Sequence, residues 1–371
     1  MKYYIIAGEA SGDLHGSNLI KALKRDDTSA EIRCWGGDLM RDAGGELVKH
    51  YRDLAFMGFA EVVSNLSTIM KNIAFCKVDI ESFQPDAIIL IDYPGFNMRI
   101  AKWAKERHYR TFYYISPQIW AWKENRIKAI KRDVDRMFVI LPFEKGFYED
   151  KHKFPVDFVG HPLIDAIQQR TKPNRETVLS EFKLDNRPIV ALLPGSRKQE
   201  ISKMLEIMLD AATHFPQYQF VIAGAPGQEA SFYEQFTKKS NVAFVLNRTY
   251  DLLSIADAAL VTSGTATLET ALYKVPEVVC YKGGWISYQI AKRIITLKFI
   301  SLVNLIMDRE VVTELIQADL NPKKLSSELA KLFDPANRQR ILSDYDALEI
   351  KLGGAGASAE TAKLIIQYIN S

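Results

Sequence analysis

The chain is poor in the features that assign many proteins at a glance. Among its 371 residues there are three cysteines, Cys34, Cys76 and Cys280, far apart and in or beside apolar runs. Such spacing excludes a disulfide framework and a thiolate metal cage, and it implies buried thiols in a reducing compartment. The six histidines show no ligand spacing either. A formal net charge of +3 is too small for a nucleic-acid-binding protein, although basic residues do cluster locally. No uncharged apolar run reaches the roughly 18 residues of a membrane span. The N-terminus enters an apolar strand at Tyr3 and meets Gly8 at once, which leaves no room for the apolar core of a signal peptide. The expected location is therefore cytoplasmic, with any membrane contact peripheral. A hydrophobic content of 47% with 25% charged residues is that of a globular protein. The length suggests about two or three domains.

What is present is organised around Ile189–Val190–Ala191–Leu192–Leu193–Pro194–Gly195–Ser196–Arg197. The apolar run reads as a buried parallel strand, and Ile201, Met204, Leu205 and Met208 follow at helical spacing. A tight loop opening a helix presents free N–H groups to an anion. Arg197 adds a fork suited to phosphate oxygens. Gly195, Ser196 and Arg197 are read as a diphosphate seat, with an ordinary turn and a surface arginine as the alternative. A second strand, Ala258–Val261, runs into Thr262-Ser-Gly-Thr-Ala-Thr267 and then Glu269. Ser263, Gly264 and Thr265 thus open another anion-friendly helix. Glu269 either accepts from ribose hydroxyls or only complements the helix dipole.

The first half alternates in the same way. Tyr3–Ala7 leads through Gly8-Glu-Ala-Ser-Gly-Asp13 into a helix containing Leu19, Ile20 and Leu23. Ala87–Ile91 ends at Asp92-Tyr-Pro-Gly95, Thr111–Ile115 ends at Ser116-Pro117, and Met137–Leu141 ends at Pro142. This alternation predicts a doubly wound parallel sheet whose site lies after the strand C-termini. The Gly8 loop lacks both the G-x-G-x-x-G spacing and a Gly-Lys-Ser/Thr, and Glu9 and Asp13 would repel a phosphate. Glu9, Ser11 and Asp13 are therefore assigned to a sugar acceptor or to site architecture, and Asp13 also reads as a simple helix-start residue.

Asp92 projects from a strand end held by Pro94 and Gly95, which suits a general base. An aspartate turning onto its own backbone is the competing reading, and His15 and His161 are alternative bases. Trp120 and Trp122, with Lys123 and Arg126, suit a sugar face and an anomeric phosphate, unless they open a solvated basic helix. Met57, Phe59 and the apolar positions through Met70 suit acyl chains. The segment from Trp285 to Ile300, with Lys292, Arg293 and Lys298, suits an anionic lipid surface; core packing is the alternative for both. Asp133–Val134–Asp135 matches Asp-x-Asp but lies before its strand among Lys131, Arg132 and Arg136, so it reads as a charged turn. No metal and no cofactor are expected, because Arg197 and helix N-termini can stabilise a leaving diphosphate.

In the second half, Gln219–Ala223, Val242–Leu246 and Val278–Tyr281 are further strands, following a polar linker at Thr171–Arg175. Gly353-Gly-Ala-Gly356 breaks the chain before a last amphipathic helix with Leu364, Ile365 and Tyr368. The expected fold class is α/β, with two Rossmann-like parallel-sheet domains facing a cleft.

Taken in order, Gly8-Glu-Ala-Ser-Gly-Asp13, Ile91-Asp-Tyr-Pro-Gly-Phe-Asn97, Ser116-Pro-Gln-Ile-Trp-Ala-Trp-Lys123, Gly160-His-Pro-Leu163, Leu193-Pro-Gly-Ser-Arg197 and Ser263-Gly-Thr-Ala-Thr-Leu-Glu269 resemble the bacterial lipid-A-disaccharide synthases. The resemblance spans nearly the whole chain and ends with Asn304 and the segment from Val311 to Gln317. It implies a GT-B glycosyltransferase that inverts the sugar. A 2,3-diacylglucosamine unit would pass from UDP to the 6-hydroxyl of 2,3-diacylglucosamine 1-phosphate (lipid X), giving a β-1,6 disaccharide and UDP. By resemblance, Asp92 and Arg197 match essential positions, while Ser263, Gly264, Thr265, Glu269 and Asn304 fall in segments that hold UDP. Gly95 stands where many members carry Asp, so a second carboxylate there has no counterpart.

The implied organisation is an acceptor and lipid domain over residues 1–168, joined by a tail helix at about 357–371, and a UDP-sugar domain over 176–345. Implied partners are UDP-diacylglucosamine, acylated glucosamine 1-phosphate and the anionic cytoplasmic face of the inner membrane, with a homodimer formed by exchange of C-terminal segments. The rival on the same fold is a UDP-N-acetylglucosamine 2-epimerase or another UDP-sugar GT-B enzyme. A non-enzymatic lipid or nucleotide carrier is a reading from a different class.

Overall fold

A computed structural model describes residues 1–54, 66–171, 173–225, 228–238, 242–283 and 298–371. The chain forms two compact units, one from Met1–Gln169 with Leu352–Ser371 and the other from Arg170–Lys351.

The first unit is built on β1 (Lys2–Ala7), β2 (Glu31–Gly36), β3 (Glu46–His50), β4 (Ala87–Ile91), β5 (Thr111–Tyr114), β6 (Arg136–Val139) and β7 (Asp157–Phe158). They pair in the order β3-β2-β1-β4-β5-β6-β7, every pair parallel. Parallel sheets need both faces covered, so the central strands are apolar on both sides. Tyr4, Ile6, Ile88, Leu90 and Tyr113 pack on one face in a cluster that includes Ile73 and Ile100, from the helices Leu66–Phe83 and Pro94–Glu106. Tyr3, Ile5, Ala7, Ile89, Ile91, Phe112 and Tyr114 pack on the other, together with Leu19 and Ile20 of the helix Ala10–Asp26.

The tail helix Ala357–Asn370 completes that second face with Ala362 and Ile365. Its start is fixed by Asp165, whose carboxylate accepts from the Gly356 N–H at 2.6 Å and the Ser358 N–H at 3.0 Å. The last helix thus belongs to the first unit although 182 residues of the second unit, Arg170–Lys351, intervene.

The second unit contains β8 (Ile189–Leu193), β9 (Gln219–Gly224), β10 (Ala243–Leu246), β11 (Ala258–Thr262), β12 (Glu277–Tyr281) and β13 (Thr313–Ile316), ordered β10-β9-β8-β11-β12-β13 and again parallel. In each sheet the order reverses once among the described strands, between β1 and β4 and between β8 and β11. Loops leaving the C-terminal ends of those pairs diverge to opposite faces and leave a crevice, the usual ligand position in such sheets.

Several sequence-based strand ends shift by one or two residues; β1, β9, β11 and β12 each gain one residue. Thr111–Ile115 stops at Tyr114, because Ile115 turns to φ +64°. Met137–Leu141 becomes Arg136–Val139, and Val242–Leu246 starts at Ala243. The three cysteines are buried and free.

Candidate active site

At the switch point of the first unit, β1 ends in Gly8 and Glu9, and β4 ends in Asp92 and Tyr93. Gly8 is required by packing: a Cβ there would lie 2.3 Å from the Tyr93 ring. Asp92 and Tyr93 have φ of +42° and +49°. Two successive non-glycine residues in the left-handed region hold strain that the surroundings must maintain. Tyr93 stacks on Phe96, with centroids 5.6 Å apart. Burial, with the Glu9 charge added, raises the Asp92 carboxyl to about 6, against a weaker lowering by the Tyr93 N–H. A carboxyl so placed can be ionised at neutral pH yet basic enough to take a proton. Glu9, whose charge acts on it, and Ser11 are both exposed.

Of the two assignments open to Asp13, sugar acceptor or site architecture, its contacts fit the second. It is 3% exposed, and its carboxylate accepts from the N–H groups of Gly37 at 2.7 Å, Leu39 at 3.2 Å and Met40 at 3.0 Å. Those N–H groups open the short helix Asp38–Asp42, so Asp13 is architecture. His15 belongs to a separate buried group. Burial lowers its ring to about 4, opposed by the Asp165 charge, and its Nδ1 is enclosed without a partner among the described residues. His161 is lowered to about 3, first by burial and then by His15. Its Nδ1 accepts from the Leu163 N–H, which caps the helix Pro162–Gln168.

After β5 the chain is held by a residue the sequence did not single out. Glu144 is 1% exposed, accepts from the Ser116 hydroxyl and from Trp120 Nε1 at 3.1 Å, and receives the N–H groups of Ile140 and Leu141. Trp120 sits edge-on to Phe143 and is thereby fixed. Trp122 stays 47% exposed, with Lys123 Nζ 4.2 Å and Arg126 Cζ 5.7 Å from its ring centroid. An exposed indole with two cations on it offers a flat apolar face beside donors for an anion.

In the second unit, Gly195, Ser196, Ser263, Gly264, Thr265 and Glu269 line a single cavity of about 320 Å³, shared with Glu200, Thr249 and Thr262. Gly195 has φ +105°, and a Cβ there would meet the Glu200 carboxylate at 2.5 Å. Glu269 is bonded by the Tyr250 hydroxyl at 2.8 Å, and burial raises its carboxyl against that bond. Thr262 Oγ1 is buried with no partner among the described residues. Arg197 is the N-cap residue of the helix Lys198–Ala212, and its exposed guanidinium makes no hydrogen bond or ion pair among the described residues.

Asn304 is not at this cavity surface. It is fully buried; its Nδ2 donates to Val312 O and Glu314 Oε1, and its Oδ1 accepts from the N–H groups of Val311 and Val312. With its amide fully committed, Asn304 braces the loop before β13 and has nothing left for a ligand.

Met57 and Phe59 lie outside the described residues, as do Lys292 and Arg293. Lys298 is described and pairs with Asp308 at 3.2 Å. Asp133 pairs with Arg132, while Asp135 pairs with Lys105 and accepts from the Thr111 N–H. Both aspartates of the Asp-x-Asp therefore sit at the N-terminal edge of the sheet. Among the described residues no group of three His, Cys, Asp or Glu could hold a metal ion.

Two parallel α/β units, each with one switch point among the described strands, define the GT-B class. The solved structure of a UDP-GlcNAc 2-epimerase from Neisseria meningitidis bound to UDP-GlcNAc superposes at TM-score 0.72 and 13% identity, covering 99% of this chain and 100% of that one. A glycotransferase of kitacinnamycin superposes at 0.67, also at 13% identity, covering 99% of each chain. Such identities speak for the fold alone. The chain itself belongs to the lipid-A-disaccharide synthetase family, whose model matches residues 3–367. The lipid-A-disaccharide synthase of Geobacter sulfurreducens is 38% identical over 373 residues, covering 98% of this chain and 96% of that protein. Membership makes the chain an enzyme, a glycosyltransferase of lipid A biosynthesis, and not an epimerase or a carrier.

Proposed function

We propose that the enzyme joins UDP-2,3-diacylglucosamine to 2,3-diacylglucosamine 1-phosphate with inversion, and that Asp92 is its base. The observation that carries this reading is the Asp92 carboxyl, half-buried in a strained turn at a switch point and raised to about 6. Asp92 takes the proton of the acceptor 6-hydroxyl as that oxygen attacks the anomeric carbon. The bond from that carbon to the diphosphate oxygen breaks, and UDP leaves with the electron pair. Arg197 and the N–H groups opening the helices Lys198–Ala212 and Thr265–Leu272 receive the growing negative charge. Glu269, already an acceptor toward Tyr250, has a second oxygen for a ribose hydroxyl.

On the acceptor side, Glu9, Ser11, Trp120, Trp122, Lys123 and Arg126 hold sugar and anomeric phosphate. Acyl chains and an anionic membrane surface are met by the first unit. Met70, Phe75 and Val78 support this, being 54%, 50% and 65% exposed on the helix Leu66–Phe83. The proposed contact is peripheral; among the described residues no helix is long and apolar enough to cross a membrane. A homodimer is part of the same reading, tested by light scattering at micromolar concentration.

The deciding experiment incubates purified protein with both acylated substrates and weighs the products. A disaccharide 1-phosphate plus UDP is the expected outcome. Turnover of unacylated UDP-N-acetylglucosamine in its place would overturn the substrate assignment.

A further inference from the structure

The turn that carries Asp92 is held from behind by two buried side chains that touch neither candidate substrate surface. The Asp92 carbonyl accepts from Asn97 Nδ2 at 2.7 Å and from the Tyr113 hydroxyl at 2.6 Å. A carbonyl oxygen has two lone pairs, so both are used. Asn97 is 0% exposed in the first turn of Pro94–Glu106, and its Nδ2 also faces Ile91 O at 3.2 Å and Ile6 O at 3.4 Å. One amide therefore faces the last carbonyl of β4, the carbonyl that follows it and a carbonyl of β1.

Its other end is informative. Asn97 Oδ1 is buried with no hydrogen-bond partner among the described residues. A buried unpaired oxygen is costly, and turning the amide over would set that oxygen against three carbonyls. The residue is thus retained for its donor at a cost. Tyr113 reaches the same carbonyl from the neighbouring strand, in register opposite Leu90. Left-handed conformations at Asp92 and Tyr93 persist only while the surroundings impose them, and these two bonds sit on the peptide that links them.

We propose that Asn97 and Tyr113 are positioning residues, locking the Asp92–Tyr93 peptide so that the Asp92 carboxyl keeps its direction toward the acceptor hydroxyl. This rests on the reading of Asp92 as the base. A small misplacement of a reacting group can cost about 10- to 100-fold in rate.

Because Asn97→Ala opens a buried hole and can fail to fold, Tyr113→Phe, which removes a single hydroxyl, is the primary variant. Turnover of the two acylated substrates is measured for Tyr113→Phe, Asp92→Asn and the double variant. Expected are a kcat about tenfold lower in Tyr113→Phe with the donor KM within twofold, and a double variant no slower than Asp92→Asn. Wild-type kcat in Tyr113→Phe beside a disabled Asp92→Asn overturns the clamp and leaves the base reading standing. Multiplying effects in the double variant also overturn it, since Tyr113 would then act independently. Full activity in Asp92→Asn removes the base, and the clamp with it.

Discussion

Asp92 and Asn304 both sit in motifs that resemble the family, yet their surroundings separate them. Asp92 keeps a carboxyl with no side-chain partner among the described residues and raised to about 6. Asn304 spends every donor and acceptor on the chain's own backbone and on Glu314. Asp92→Asn is expected to lose about 100-fold or more in turnover, the usual scale for a general base. The acidic limb of the wild-type rate, with its midpoint near pH 6, should vanish with it. The same substitution should raise the melting temperature above that pH. A carboxyl whose pKa is raised on folding loses stability as pH rises from about 3.9, where the unfolded group ionises, through about 6. An unchanged melting curve would mean the carboxyl is not desolvated.

Asn304→Ala should do the reverse. It leaves the Val311 and Val312 N–H groups without their acceptor and takes one donor each from Val312 O and Glu314, costing on the order of 2–4 kcal/mol, with the donor KM of the folded fraction unmoved. Residue type and spacing were legible for both; whether an amide is spent inside the loop depends on Val311, Val312 and Glu314, which no spacing rule brings together.

At the scale of elements, β1, β4, β8 and β11 were readable because central parallel strands are continuous apolar runs. β2, β3, β7 and β13 escaped for physical reasons. Glu31 and Arg33 interrupt β2, β3 is an edge strand with Glu46, Lys49 and His50, and β7 is two residues long. β13 carries Glu314, whose carboxylate turns back to the N–H groups of Ile300 and Ser301. Glu144 was invisible for the same kind of reason, since its partners Ser116 and Trp120 come from another loop.

Glu144→Ala is expected to free that loop and raise the acceptor KM, while the donor KM stays put. A uniform change in both would deny Glu144 a part in acceptor binding. The helix Leu66–Phe83 has its own test. Met70→Ser with Val78→Ser removes exposed apolar surface without touching the buried face, so flotation with anionic liposomes should fall while melting is unaffected. Equal flotation would move the lipid contact to another part of the chain.

For the whole molecule, the first unit is closed by a helix that returns after the entire second unit. That return is fastened beside the buried histidines. Asp165 caps the tail helix, the His161 N–H donates to Leu352 O at 3.0 Å, and Arg110 donates to the Tyr368 and Ile369 carbonyls at the helix end. Removing residues 353–371 would expose Ile5, Leu19 and Tyr114 to water, and such a chain is expected to be recovered only as aggregate. The fastening should also be acid-labile. Burial holds the folded rings of His15 and His161 at about 4 and about 3, below the ordinary 6.5. Above about 6.5 both rings are neutral whether folded or unfolded, so neither affects stability. As pH falls below that value the unfolded chain binds protons the folded chain refuses, and stability drops by about 1.4 kcal/mol per ring for each unit crossed. The drop ends only near the folded values. His161→Asn keeps an N-cap acceptor for Leu163 but cannot be protonated. Its melting temperature should match the wild type at pH 8 and exceed it increasingly from pH 6 to pH 4. Parallel melting curves for the two proteins over that range would show that His161 takes its proton without disturbing the fold.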